Sequence, residues 1–256
     1  MSSSSDTLLN ENQETKNLLL IIKSINIFWL IMTLIVFAVL INLGLWQSSR
    51  AIEKEQRLSR IASLNTTNPI SLQQVVALSN TENINDFPVN ANGVFIAEKV
   101  FLLDNQVSGG RLGYQVLQIL MTEKNAVLVN LGWVQGSINR QELPEVSGYS
   151  GEINFSSKVR LVEPNIQLMA QDFSSVQWPL RVQQIELDKF SALLDKPLLP
   201  FVLYVNETDA IGFKKDWQAI VMPPEKHRGY AFQWFSLAIA WIMLMCWAAY
   251  SQRNKQ

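Results

Sequence analysis

The sequence predicts a membrane protein in which two transmembrane helices flank an α+β soluble domain of mostly antiparallel strands, either barrel-like or a sandwich. Three observations carry this expectation. Two apolar segments, from about Ile25 to Trp46 and from Tyr230 to Tyr250, match the roughly 30 Å of bilayer hydrocarbon at about 1.5 Å rise per residue. Between them lie runs rich in Val, Ile, Leu and Phe, parted by Gly, Asn, Pro and Ser. No long helices alternate with these runs, as a parallel sheet with crossover helices would need.

The elements follow in order. Residues 1–24, opening MSSSSD, read as a disordered tail. The first span, 25–46, has an uncharged interior, FWLIMTLIVFAVLINLGLW, bracketed by the interfacial aromatics Trp29 and Trp46. It is too long for a signal-peptide core and no small-residue cleavage pattern follows, so it reads as a permanent anchor. Residues 46–63 continue it as a polar helix up to the breaker cluster Asn65–Pro69, with Arg50, Lys54 and Arg57 on one face. SLQQVVAL (71–78) predicts a short helix capped by Ser71. Strands are expected at GVFIAEKVFLLDN, YQVLQILMT, AVLVNLGWV, INFSSKVRLV, LRVQQIEL and FVLYVNE, with a hairpin at the Glu123–Asn125 link. Gly109, Gly110 and Gly113 match no phosphate loop and are expected in a turn. DKFSALLD (188–195) predicts a helix before Pro197. The soluble domain thus covers 47–229, the second span 230–250 with Trp234 and Trp247 near its ends, and a short tail 251–256.

Composition narrows the function classes. The 256 residues are 48% hydrophobic and 17% charged, with a net charge of −1. That balance lacks the basic surface of a nucleic-acid binder. A single cysteine, Cys246, lies in the second span, so no disulfide forms within the chain and CxxC chemistry in the domain is excluded. With one histidine there is no HExxH motif, and no serine sits in a GxSxG context. The carboxylates Glu53, Glu55, Glu142 and Glu145 read as solvated, and an enzyme is not expected. Neither span carries a charged residue, which argues against an ion pathway.

The run MPPEKHRGYAFQWF (222–235) concentrates the chemistry. His227, the only histidine, stands where polar chain gives way to hydrocarbon, and a neutral imidazole there can ligate a metal or a haem iron. Tyr230 and Trp234 follow at +3 and +7 on its helical face, where they can cover a porphyrin or simply anchor the helix at the interface. Arg50 has the planar fork that matches a propionate, or else snorkels as an interfacial charge. Trp133 and Gly132 are expected to pack a buried sheet turn rather than touch a ligand.

Three patches in this order and with this two-anchor layout resemble the surfeit locus protein one family of cytochrome c oxidase assembly factors: LGLWQSSRAIEK (43–54), GYQVLQILMTEKNAVLVNLGWVQGSINR (113–140) and PPEKHRGYAFQWFSLA (223–238). The family usually carries Asn-Arg-Gly-Trp-Val-Pro where this chain has Asn130, Leu131, Gly132, Trp133, Val134 and Gln135, although Arg140 keeps a basic residue downstream. The resemblance implies a factor that holds haem a, or inserts it into the oxidase's largest subunit, with His227 as the ligand and haem a synthesis enzymes as further partners beside the lipid. The alternative is a protein-binding scaffold for an oxidase intermediate that never ligates haem. Counted naively, the basic residues beside the spans place the middle domain in the cytoplasm, but long domains translocate largely regardless of charge. The resemblance implies a middle domain in the periplasm, or in the intermembrane space of mitochondria, and the serine-rich N-terminus without an Arg-rich transit peptide favours a bacterial inner-membrane protein.

Overall fold

In the computed structural model the described residues are 27–139, 141–162, 173 and 176–253. The expected tail 1–24, Arg140 and the last three residues lie outside them. The described chain divides into two compact units, one from residues up to Leu58 and from Ile220 onward, the other from Ser59 to Ala219.

The first unit holds two helices, α1 (Ile27–Asn65, whose last turns belong to the second unit) and, last in the chain, Pro224–Arg253. Both are long and apolar enough to cross a membrane. The polar stretch after Trp46 continues the helix without a break, as expected, because Arg, Glu, Lys, Gln and Leu are strong helix formers.

The second unit is a mixed sheet. After β1 (Ile70–Ser71) comes α2 (Leu72–Leu78), capped by Ser71 in a capping box with Gln74. Then follow β2 (Pro88–Ser108), β3 (Arg111–Met121), β4 (Ala126–Gln135), β5 (Gly151–Leu161), β6 (Leu180–Val182), α3 (Leu187–Leu194) and β7 (Leu198–Val205); the second apolar helix is therefore α4. The β2–β3 turn is Gly109–Gly110, with φ of +57° and +76°, as a tight hairpin whose two central residues are left-handed demands. Gly113 lies inside β3 instead. The β3–β4 hairpin forms at the predicted link, where Thr122 and Asn125 bond each other.

The sheet is less antiparallel than the sequence suggests. β7 runs parallel to β4, and β1 and β6 run parallel to β2. The chain between β4 and β7 contains β5, β6 and α3, a crossover long enough for β7 to enter in β4's own direction. The pairings β2–β3, β3–β4, β4–β7, β7–β5 and β5–β2 form a closed cycle. LRVQQIEL supplies a strand only over Leu180–Val182, because Leu187 already begins α3.

Both faces of this sheet are buried, which is why its strands read as nearly continuous apolar runs. One face gathers Val89, Leu102, Val116, Leu120, Val129 and Phe201, with Val75 from α2 against them. The other gathers Phe101, Leu117, Ile119, Leu128 and Val202 under Phe190 of α3, whose ring stacks on Phe101 at 4.3 Å. Buried polar groups are tied in. Asp104 pairs with Arg181, Asp86 with Arg160, and Gln118 bonds Ile96 and Tyr149. Burial pushes the Tyr204 hydroxyl above the usual phenol range, opposed by a hydrogen bond with Asn130 and the charge of Arg160.

Trp133 corrects an expectation. It is half-buried within β4, not buried at a turn after it. The pairing jumps from Leu117↔Asn130 to Val116↔Gly132, leaving Leu131 as the extra residue of a bulge. The bulge keeps Leu131 in the core and brings Val134, rather than Trp133, to the core face. The indole instead donates to the Gln106 carbonyl at 3.0 Å and lies under the Lys214 ammonium.

Candidate functional site

The expected site residues all belong to the first unit, whose helices α1 and α4 meet along a seam. The buried residues of α4 are Pro224, His227, Ala231 and Ala238, spaced by three, four and seven; those of α1 are Gly44 and Ala51, seven apart. That is the heptad spacing of two helices packed lengthwise. The contacts run antiparallel: Thr33 meets Trp241, Gly44 meets Phe235, Gln47 meets His227, and Glu55 meets Arg228. Small residues let the backbones approach. A Cβ on Gly44 would stand 2.5 Å from the Phe235 ring. The polar residues of α1 are satisfied locally, Thr33, Asn42 and Ser48 each donating to the carbonyl four residues earlier.

His227 is a seam residue, 8% exposed, and its Nδ1 lies 2.7 Å from Gln47 Oε1. Trp234 is half-buried seven residues on. Tyr230 is 43% exposed and falls outside the covered positions of α4, whereas Trp234 keeps the seven-residue spacing from the histidine. Arg50 is engaged elsewhere. Its guanidinium pairs with Glu53 at 2.6 Å and sits 6.0 Å from the Trp46 ring, with nearly half of the side chain exposed. Arg228 beside the histidine pairs with Glu55 at 2.5 Å. An open apolar depression of about 580 Å³ along α1, lined by Ile35, Ala38, Val39, Asn42, Leu43 and Trp46, includes none of the expected site residues.

Gln47 is the residue that sequence reasoning passed over. Its signal was available, since Gly44 and Ala51 lie three before and four after it and mark the face of α1 that α4 covers.

The SURF1 family model matches residues 34–239, which takes in most of α1, the first half of α4, the whole sheet and both residues of the His227–Gln47 pair. The chain belongs to the SURF1 family. It is also similar to the SURF1-like protein of Rickettsia felis, with 26% identity over 235 residues, 84% of this chain and 93% of the relative. The SURF1 family is associated with cytochrome oxidase assembly, so the sequence resemblance drawn from the three patches holds over the matched range.

Proposed function

We propose that this SURF1-family protein is an inner-membrane cytochrome c oxidase biogenesis factor that holds haem a, as cargo for the oxidase's largest subunit, with His227 as the iron ligand. The single observation that carries the ligand assignment is the 2.7 Å contact of His227 Nδ1 with Gln47 Oε1. A ligating histidine characteristically donates its second ring nitrogen to an oxygen acceptor, and this pair fits that pattern. Trp234 is the aromatic neighbour on the same face. Tyr230 would act from the rim. Arg50 would reach a propionate only by leaving Glu53. In this reading α1 and α4 span the bilayer, residues from about 47 to 229 face the periplasm, and no catalytic residue is involved.

The test is an absorption spectrum of the purified protein after co-expression with haem a synthesis enzymes. Wild type is expected to carry haem, and His227→Ala or His227→Met to lose the spectrum or change it, with the fold retained. Full occupancy with an unaltered Soret band in His227→Ala would reject the ligand role. Reporter fusions at Asn80 and at the C-terminus should fall in opposite compartments. A cytoplasmic result at Asn80 would overturn the orientation.

A second reading has its own observation. His227 is nearly covered in the helix seam, as a polar contact that fixes the pairing of α1 and α4 would be. The protein would then be a scaffold that binds an oxidase intermediate without haem. Recovery of the largest subunit with the protein from cells unable to make haem a would favour it.

A further inference from the structure

A neutral imidazole carries its proton on one ring nitrogen or the other, and only the bare nitrogen can bind a metal. The contact between His227 Nδ1 and Gln47 Oε1 selects between the two. With the Gln47 amide oxygen turned to the ring, an acceptor that cannot donate, the 2.7 Å contact calls for the proton on Nδ1. Nε2 is then left with its lone pair. The reverse tautomer would set one lone pair against another across the seam.

The seam fixes this arrangement from both sides. Gly44 and Ala51 bracket Gln47 on the covered face of α1, and Ala231 follows His227 on α4, so the backbones come close enough for an amide to meet the ring. The neighbouring groups are committed. Arg228 pairs with Glu55, and the Ser48 hydroxyl donates to the Gly44 carbonyl. We propose that Gln47 is a positioning residue: it holds His227 in the Nδ1–H tautomer, so that Nε2 is the atom offered to a metal. That Nε2 meets haem iron rests on the reading above; the tautomer does not.

The experiment exploits the single histidine of the chain. The full-length protein, purified in detergent on a tag without histidine and labelled with ¹⁵N at the imidazole, gives one pair of ring signals. Wild type should show a protonated-type Nδ1 and a bare Nε2. A protonated Nε2 in wild type would overturn the assignment outright. Gln47→Met keeps the shape and removes the acceptor, so the ring should move toward the Nε2–H form that free histidine prefers in water. Gln47→Glu, which can only accept, should keep Nδ1–H. In protein co-expressed with haem a, Gln47→Met should lose about ten- to hundredfold in affinity, the usual consequence of removing such a partner. Gln47→Glu should retain haem and lower its reduction potential, because a carboxylate makes the ring more electron-rich.

A merely structural glutamine predicts the opposite order, with neutral Met tolerated in the seam and Glu disruptive. Wild-type tautomer and haem affinity in Gln47→Met would therefore sink the proposal. His227→Ala separates the two ideas. Haem retained in that variant removes the ligand reading, while the tautomer assignment is still decided by the ring signals.

Discussion

The strand domain and the helix pair are held by opposite means. In the strand domain large side chains fill space, with Phe101, Phe190 and Phe201 fully buried among Leu and Val on two sheet faces. In the helix pair the buried residues are mostly Gly and Ala, and the large apolar residues, Trp29, Trp46, Phe232 and Trp247 among them, face outward. Where water is the surrounding solvent, burial of volume is the driving force. If α1 and α4 span a bilayer, as proposed, their surroundings are as apolar as their side chains, and close backbone approach and a few polar contacts take over. The histidine–glutamine pair belongs to the second kind of region. That is why it stands out chemically while contributing little core.

The largest expected effect tests the first half of this comparison. Phe201 is fully buried on the face that also holds Phe155 and Leu203, and Phe201→Ala removes the whole ring from it. A loss of about 3–5 kcal/mol is expected in chemical unfolding of the full chain in detergent, as for other large aromatic truncations in cores. A loss below about 1 kcal/mol would mean that volume does not hold this domain.

The second prediction tests the other half. Gly44→Val places carbon into space that the Phe235 ring occupies. Overpacking of this kind costs about 1–3 kcal/mol, and Phe235→Ala in the same chain should restore part of it. No recovery in the double variant would show that the cost is not a clash across the seam.

Trp133 gives the third. With the indole half-buried, Trp133→Ala should cost about 2 kcal/mol, from partial aromatic burial and the lost bond to the Gln106 carbonyl. Thermal unfolding of the full chain measures it, and a loss as large as that of Phe201→Ala would place the ring in the core after all.

The same contrast explains what the sequence could disclose. Local chemistry was readable: the Ser71 cap, the Gly109–Gly110 turn, the Glu123–Asn125 link and the continuous α1 all depend on residues within a few positions of one another. The parallel entry of β7 beside β4 depends on contacts some seventy positions apart, and two-faced burial erases the alternation that would have oriented the strands. The bulge at Leu131 is invisible because nothing in LGW announces an extra residue, yet it decides which way Trp133 points. At the site, the sequence identified His227 by its rarity and its place beside the apolar run. The Gly44 and Ala51 spacing marks the covered face of α1 on which Gln47 lies, but not that this residue, 180 positions away, meets the ring.

The smallest expected effect concerns Arg50, and it sharpens the comparison at the edge of the helix pair. In the sequence Arg50 reads either as a partner for a propionate or as a snorkelling interfacial charge; its guanidinium is paired with Glu53 one helical turn on, and 46% of its side chain is exposed. Exposed pairs of this kind within one helix contribute little to stability, because solvent screens them and the side chains lose freedom in holding them. Arg50→Ala should therefore shift the unfolding midpoint barely at all, and less in high salt, where the pair is already screened. In protein co-expressed with haem a, the position of the Soret band should match that of wild type, because the guanidinium is already satisfied and the proposed ligand lies in the seam. A spectrum that moves while stability does not would require Arg50 to exchange Glu53 for a carboxylate of the cargo. Arg50→Lys would then fail to restore it, since an ammonium has no planar fork to offer a propionate.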